Sequence, residues 1–176
     1  MHRQTADDLL AVGPGAPSGL AGWSAADLAA HLMSQTGAAR HALAAGRLAL
    51  TRNLRLGDRA GPATNARAIR LYQRRGFTRA IEAVRKGPPW PLLAPAIAPV
   101  ALFEIWVHGD DLRRGNGLPP GIEPASLAEA VDFLARYQQP ILGDTAIDRT
   151  QSDADLVRWL VGRPSALPPH DPSLTI

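Results

Sequence analysis

Glu104 and His108 stand four residues apart in a stretch, Val100 to Arg114, whose apolar start and charged end read as one helix. That spacing brings both side chains to one helix face, a turn apart. A carboxylate and an imidazole so placed can clamp a divalent metal ion. Phe103, Ile105, Trp106 and Val107 make their setting apolar, where an unpaired charge is costly and a metal would relieve the cost. Asp111, three residues beyond His108, falls on the same side and is placed to accept the second ring N–H of that histidine, as carboxylates behind metal-binding histidines commonly do. The same spacing also makes an ordinary ion pair, so the pair by itself defines a clamp and not yet a metal.

A third ligand must come from another element. His31 is a candidate because Leu28 and Leu32 beside it turn that stretch inward. His41 competes, but ten residues on a helix at about 100° each leave it about 80° away, so one straight helix does not bring both to one site. His2 and His170 lie near the ends of the sequence and are poor candidates. Three ligands of imidazole and carboxylate type leave positions open for water or substrate, the pattern of a catalytic rather than a closed structural site.

The elements that must carry these residues are helices. The sequence is 45% hydrophobic but only 5% aromatic, with 176 residues, which suits one domain built of closely packed helices. A first helix spans His2 to Val12 and stops at the Gly13-Pro14-Gly15 turn. Ser24 caps a second, with Asp27 three residues on completing a capping box and Trp23 in the position of a hydrophobic staple; it is expected to reach about Ala45. Residues 46 to 62 read as a fraying extension. Ala63 to Lys86 form an amphipathic helix interrupted near Gly76, and Gly87 to Pro99, with five prolines, a loop. Helices over Val100 to Arg114, about Pro124 to Gln139 and Asp153 to Val161 follow, and the tail from Arg163 onward reads as extended or disordered. The expected organisation is an all-α bundle of four main helices with short additional ones over residues 1–140, and over 141–176 a short helix with a proline-rich tail, packed on the bundle or partly disordered.

Composition excludes several classes of function. There is no cysteine, hence no disulfide, no thiolate metal ligand and no cysteine nucleophile; thiol chemistry would need an external thiol. No apolar run is long enough to cross a membrane and the first residues do not form a signal peptide, so a cytoplasmic protein with no membrane partner is expected. Residues 40 to 86 hold twelve Arg or Lys against Asp58 and Glu82. They lack the interleaved aromatics of a nucleic-acid reader, which leaves a solvated helix face or an anion-binding surface and no nucleic-acid partner.

Two passages carry a family resemblance. Gly22-Trp23-Ser24-Ala25-Ala26-Asp27-Leu28-Ala29-Ala30-His31-Leu32 resembles the Gly-Trp-Thr/Ser-x-x-Asp-Leu-x-x-His-Leu signature of the N-terminal domain of mycothiol-dependent maleylpyruvate isomerases, in the DinB-like metal-binding superfamily. Glu104 to Leu112 is similar to that family's Glu-x-x-x-His-x-x-Asp-Leu segment, in the same order. The resemblance implies a DinB-like four-helix bundle that holds a divalent metal, usually zinc, on His31, Glu104 and His108. It also implies mycothiol as external cofactor or co-substrate, with an electrophilic or anionic substrate as the further partner. The reaction class implied is thiol transfer or thiol-assisted isomerisation; after residue 140 the sequence departs from the isomerase proper, lacking its full second domain. A non-catalytic metal-binding structural or regulatory domain is the alternative. The substrate and the oligomeric state, a homodimer included, stay open.

A third passage, Asn65-Ala66-Arg67-Ala68-Ile69-Arg70-Leu71-Tyr72-Gln73-Arg74-Arg75-Gly76-Phe77, resembles the Asn-x-x-Ala-x-x-Leu-Tyr-x-x-x-Gly-Phe segment of GNAT acetyltransferases. That family also needs a pyrophosphate-binding glycine loop and a mixed sheet, and the sequence carries neither signal, so the segment is expected to be an amphipathic helix.

Overall fold

The capping box predicted at Ser24 is formed in the computed structural model: the Asp27 backbone N–H donates to Ser24 Oγ (3.2 Å), and the Ser24 N–H donates to Asp27 Oδ2 (2.8 Å). The structure describes residues 1–35, 66, 69–88, 98–142 and 147–167, and for 138–142 the backbone alone. The expected reach of the second helix to Ala45 and the fraying stretch 46–62 lie outside them.

Helix α1 (His2–Val12) is followed by a loop that folds back on α2 (Ala25–Gln35). Pro17 and Ser24 form an isolated antiparallel bridge, and the N–H groups of Ala25 and Ala26 donate to Ala16 O (2.7 Å) and Pro14 O (3.0 Å). These bonds satisfy donors that the start of a helix leaves unpaired and fix where α2 begins. Ala25, Leu28, Ala29 and Leu32, at positions i, i+3, i+4 and i+7, are then buried.

Residues 69–73 are helical, the helix breaks at Arg74–Gly76 as expected, and α3 (Phe77–Lys86) buries Ala80, Ile81 and Val84 against α1 and α2. Arg70, Arg74, Arg75, Arg79, Arg85 and Lys86 are exposed. The described part of the basic segment is thus a solvated face, with Arg75 over the Tyr72 ring (4.8 Å) and Arg85 paired with Asp7.

Helix α4 (Ala98–Gly115) starts earlier than the expected Val100, because Pro99 sits in the first turn, where its missing N–H has no intrahelical acceptor to lose. Every residue from Ile105 to Arg113 is buried. A helix buried all round is a central element. Ile105 and Leu112 join a core cluster with α1, α2 and α3, while Phe103, Trp106 and Val107 join a second one with α5 (Leu127–Leu142) and α6 (Asp153–Leu160). Helix α5 continues past the expected end at Gln139 and through Pro140, which forfeits only one backbone bond so close to the helix end. Ser152 caps α6, accepting from the Asp155 N–H (3.1 Å).

Residues 163–167 have no regular secondary structure, within the expectation of an extended tail, and they pack on the bundle. Arg163 is paired with Asp111 on α4, and Leu167 packs against the second cluster. The reason is electrostatic, because Asp111 is buried and demands a cation.

Small residues let these elements close on one another. Gly109 of α4 passes so near α1 that a Cβ there would lie 2.8 Å from Thr5 Oγ1. Gly19, in the loop before α2, has φ +83°, and a Cβ on it would lie 2.0 Å from the backbone oxygen of Asp111. Both its conformation and its proximity exclude a side chain. Gly19→Ala is therefore expected to lower stability by about 1–3 kcal/mol or more, read as a lower midpoint in urea denaturation; an unchanged midpoint would contradict this packing.

Candidate metal centre

The inward stripe of α2 places His31 between Leu28 and Leu32, and α4 presents Glu104 and His108 one turn apart toward it. His31 and His108 are 2% and 1% exposed. Their rings meet edge to face, centroids 5.0 Å apart, and the Trp23 ring also lies edge to face with His31 at 5.3 Å. Trp23 thus borders the site as well as flanking the cap.

Both imidazoles aim Nε2 at the same oxygen. His108 Nε2 lies 3.4 Å and His31 Nε2 3.7 Å from Glu104 Oε2. Neither contact is a hydrogen bond, and Glu104 Oε2 and both ring nitrogens of His108 are buried without a hydrogen-bond partner among the described residues. Buried polar atoms are rarely left so. One ligand atom from each of the three residues lies within 4.8 Å of the others, the one such group found among the described residues. A four-coordinate ion with bonds of roughly 2.0–2.2 Å sets ligand atoms about 3.3–3.6 Å apart, close to the two distances to Glu104 Oε2. The His31, Glu104 and His108 triad fits a divalent metal.

Asp111 faces the far side of the His108 ring, its Oδ2 3.6 Å from Nδ1. Asp111 stands where expected, but at this distance the ring N–H donation expected of His108 is not made. Asp111 is itself gripped by Arg163, whose Nε donates to both carboxylate oxygens and whose Nη2 donates to Oδ2, all at 3.1 Å. The sequence reading missed Arg163. Gly162 signals the end of α6, yet nothing local says that the next side chain reaches back to α4.

Electrostatics follow from this arrangement. Burial alone would favour neutral forms, but the groups compensate one another. Desolvation pushes the Glu104 carboxyl up, and the neighbouring His108 and His31 outweigh it and hold it well below the usual carboxylate range. Desolvation likewise opposes protonation of His108, but Asp111 and Glu104 prevail and raise it to about 9. Asp111 is lowered against its own desolvation by His108 and Arg163.

Of the other histidines, His2 stands apart from the triad with its ring against Gly87, and His41 and His170 lie outside the described residues. Ser34, buried beneath the site, donates its hydroxyl to the His31 carbonyl (2.6 Å). The acetyltransferase-like segment ends in a helix, a break and α3, and no sheet exists among the described residues to serve such an enzyme.

The structure is a helical bundle with a His/Glu/His cluster that fits a divalent metal, and the comparison with known families says which helical proteins it resembles. The chain belongs to the mycothiol maleylpyruvate isomerase N-terminal domain family, which matches residues 2–113, within the DinB-like superfamily. The match runs from α1 through most of α4 and so spans all three residues of the cluster. No curated protein and no solved structure gives a significant match. None of the described helices is long and apolar enough to cross a membrane.

The raised His108 value has a measurable sign. A group with a folded value of about 9 against 6.5 when unfolded stabilises the fold fully below pH 6.5, and that contribution is lost as pH rises through about 9. Chelator-treated protein is therefore expected to melt at falling temperature as pH goes from 6.5 to 9. A melting temperature that rises over this range would contradict the assigned environment.

Proposed function

We propose that this chain binds one divalent metal ion, zinc by preference, on His31, Glu104 and His108, and uses it as an enzyme of thiol transfer or thiol-assisted isomerisation. The thiol would be an external low-molecular-weight one of the mycothiol type, and the second substrate an electrophilic or anionic small molecule. The observation that carries the reading is the convergence of two imidazole Nε2 atoms on one buried carboxylate oxygen, Glu104 Oε2, which has no hydrogen-bond partner among the described residues. Family membership supports the thiol.

Two imidazoles and a carboxylate are a ligand set suited to zinc, and three protein ligands leave a coordination position for a further molecule. Bound there, the ion would supply a Lewis acid that lowers the pKa of a coordinated thiol and so provides a nucleophile near neutral pH. The protein's own part is orientation and exclusion of water. His108 presents Nε2 because Asp111 occupies its Nδ1 side, and His31 is held by the Trp23 and His108 rings. Glu104 supplies the negative charge that the two imidazoles lack, and with its side chain 19% exposed it marks where the cluster opens to solvent. The chain has no cysteine, so the reacting sulfur must arrive with the substrate. A cytoplasmic location goes with this reading, since reduced thiols are kept there. Residues 1–140 would then carry the site, with 141–176 packed on it.

The bridging of two helices favours a second reading, in which the metal only ties α2 to α4 and the domain is structural or regulatory. The two readings separate in one set of experiments. Zinc at about a hundred times its dissociation constant should stabilise the chain by about 2.7 kcal/mol in either case. Only the enzymatic reading predicts a change in the visible spectrum of cobalt-substituted protein on adding mycothiol, and turnover of thiol with an electrophile. Elemental analysis of the His31→Ala/His108→Ala double variant should find no stoichiometric zinc; one zinc per chain in that variant would end both readings.

A further inference from the structure

The family match stops at residue 113, yet a side chain from far beyond it reaches the centre. Helix α6 ends in a turn in which the Gly162 N–H donates to Trp159 O (3.0 Å) and the Arg163 N–H donates to Arg158 O (2.8 Å), with Gly162 at φ +73°. This Schellman arrangement needs the left-handed conformation that glycine adopts freely, and it reverses the chain so that Arg163 heads back toward α4. The turn is anchored from below. Arg158, 4% exposed, donates Nε to Pro164 O (2.8 Å) and pairs through Nη1 with Asp110, which also accepts from Arg114 Nε (3.0 Å).

Arg163 then meets Asp111 as a fork on a carboxylate, through three N–H donations of 3.1 Å, with the two side chains 13% and 6% exposed. A planar guanidinium so engaged fixes the plane of the carboxylate as well as its place. The oxygen that receives two of those bonds, Oδ2, is the one that lies 3.6 Å from His108 Nδ1. The backbone of Asp111 is held independently, by the close approach of Gly19. Carboxylate and backbone are thus both immobilised behind one ring.

We propose that Arg163 is a positioning residue for the metal centre: it locks the Asp111 carboxylate against the Nδ1 side of His108, and thereby keeps Nε2 aimed at Glu104 and His31. The inference rests on the metal reading above and adds that the segment after α6 is part of the centre, although no ligand lies on it. A carboxylate free to rotate would let the His108 ring turn or take the other tautomer, and groups that orient metal-binding histidines in this way typically govern affinity by roughly 10–100-fold.

The test is competition of zinc(II) against a chromophoric chelator for the full chain and its variants. Arg163→Met is expected to weaken zinc by roughly 10–100-fold. Arg163→Lys, which keeps the charge but not the fork, should fall between it and the native chain. In an Asp111→Asn background the Arg163→Met change should cost no further affinity, since the arginine acts through that carboxylate. Melting of the chelated proteins reports folding separately. Cobalt(II) in Arg163→Met should show an altered visible spectrum. Native affinity in Arg163→Met, with only its melting temperature changed, would overturn the inference and leave the metal reading intact. A native chain that takes up no zinc would remove the metal reading and the inference with it.

Discussion

Three polar side chains occupy space in this bundle that hydrocarbon would otherwise fill, and the cost of keeping them there governs how α2 and α4 meet. A carboxylate and two imidazoles removed from water need either hydrogen bonds or one another. Glu104 Oε2 and the His108 nitrogens have no hydrogen bonds among the described residues, and the protein groups compensate one another only by attraction over 3.4 to 3.7 Å. A cation placed between the three would turn that imperfect compensation into coordination. The ring contacts with Trp23 and between the two histidines keep the groups in reach of it.

The central position of α4 follows from the same demand. To face α2 with Glu104 and His108, the helix must pass through the middle, and it then buries Asp110, Asp111 and Arg113 near its other end. Each is met from a different element: Arg113 by Asp8 of α1, Asp110 by Arg158 of α6, and Asp111 by Arg163 beyond it. Removing one partner of such a pair strands a buried charge, so a helix shifted by one residue or one turn would strand several at once. Register, more than added stability, is what these pairs supply to the site.

Much of this was legible locally. The Ser24 and Asp27 cap, the inward stripe around His31, the Glu104 and His108 spacing and the break at Gly76 all depend on neighbours within a few residues, where periodicity and capping rules apply directly. The spacing alone did not choose His31 as the third member; the family resemblance did, and the structure sets its Nε2 beside Glu104. What escaped was set by distant contacts. Asp111 and Arg163 stand 52 positions apart, and no local pattern signals their pairing. Pro99 falls in a stretch whose prolines read as loop, whereas a proline in a first turn costs little, as does Pro140 near a helix end. Gly19 looked like any loop glycine until the backbone of Asp111 was found against it.

The central claim is that His31, Glu104 and His108 hold one metal ion together, and X-ray absorption at the metal edge tests it most directly. The account predicts, for protein purified without chelator or loaded with zinc, one metal per chain with two imidazole nitrogens and a carboxylate oxygen at roughly 2.0–2.2 Å, and loss of imidazole scattering in His31→Ala and His108→Ala. A metal surrounded only by water oxygens, or a spectrum the two substitutions leave unchanged, would contradict it.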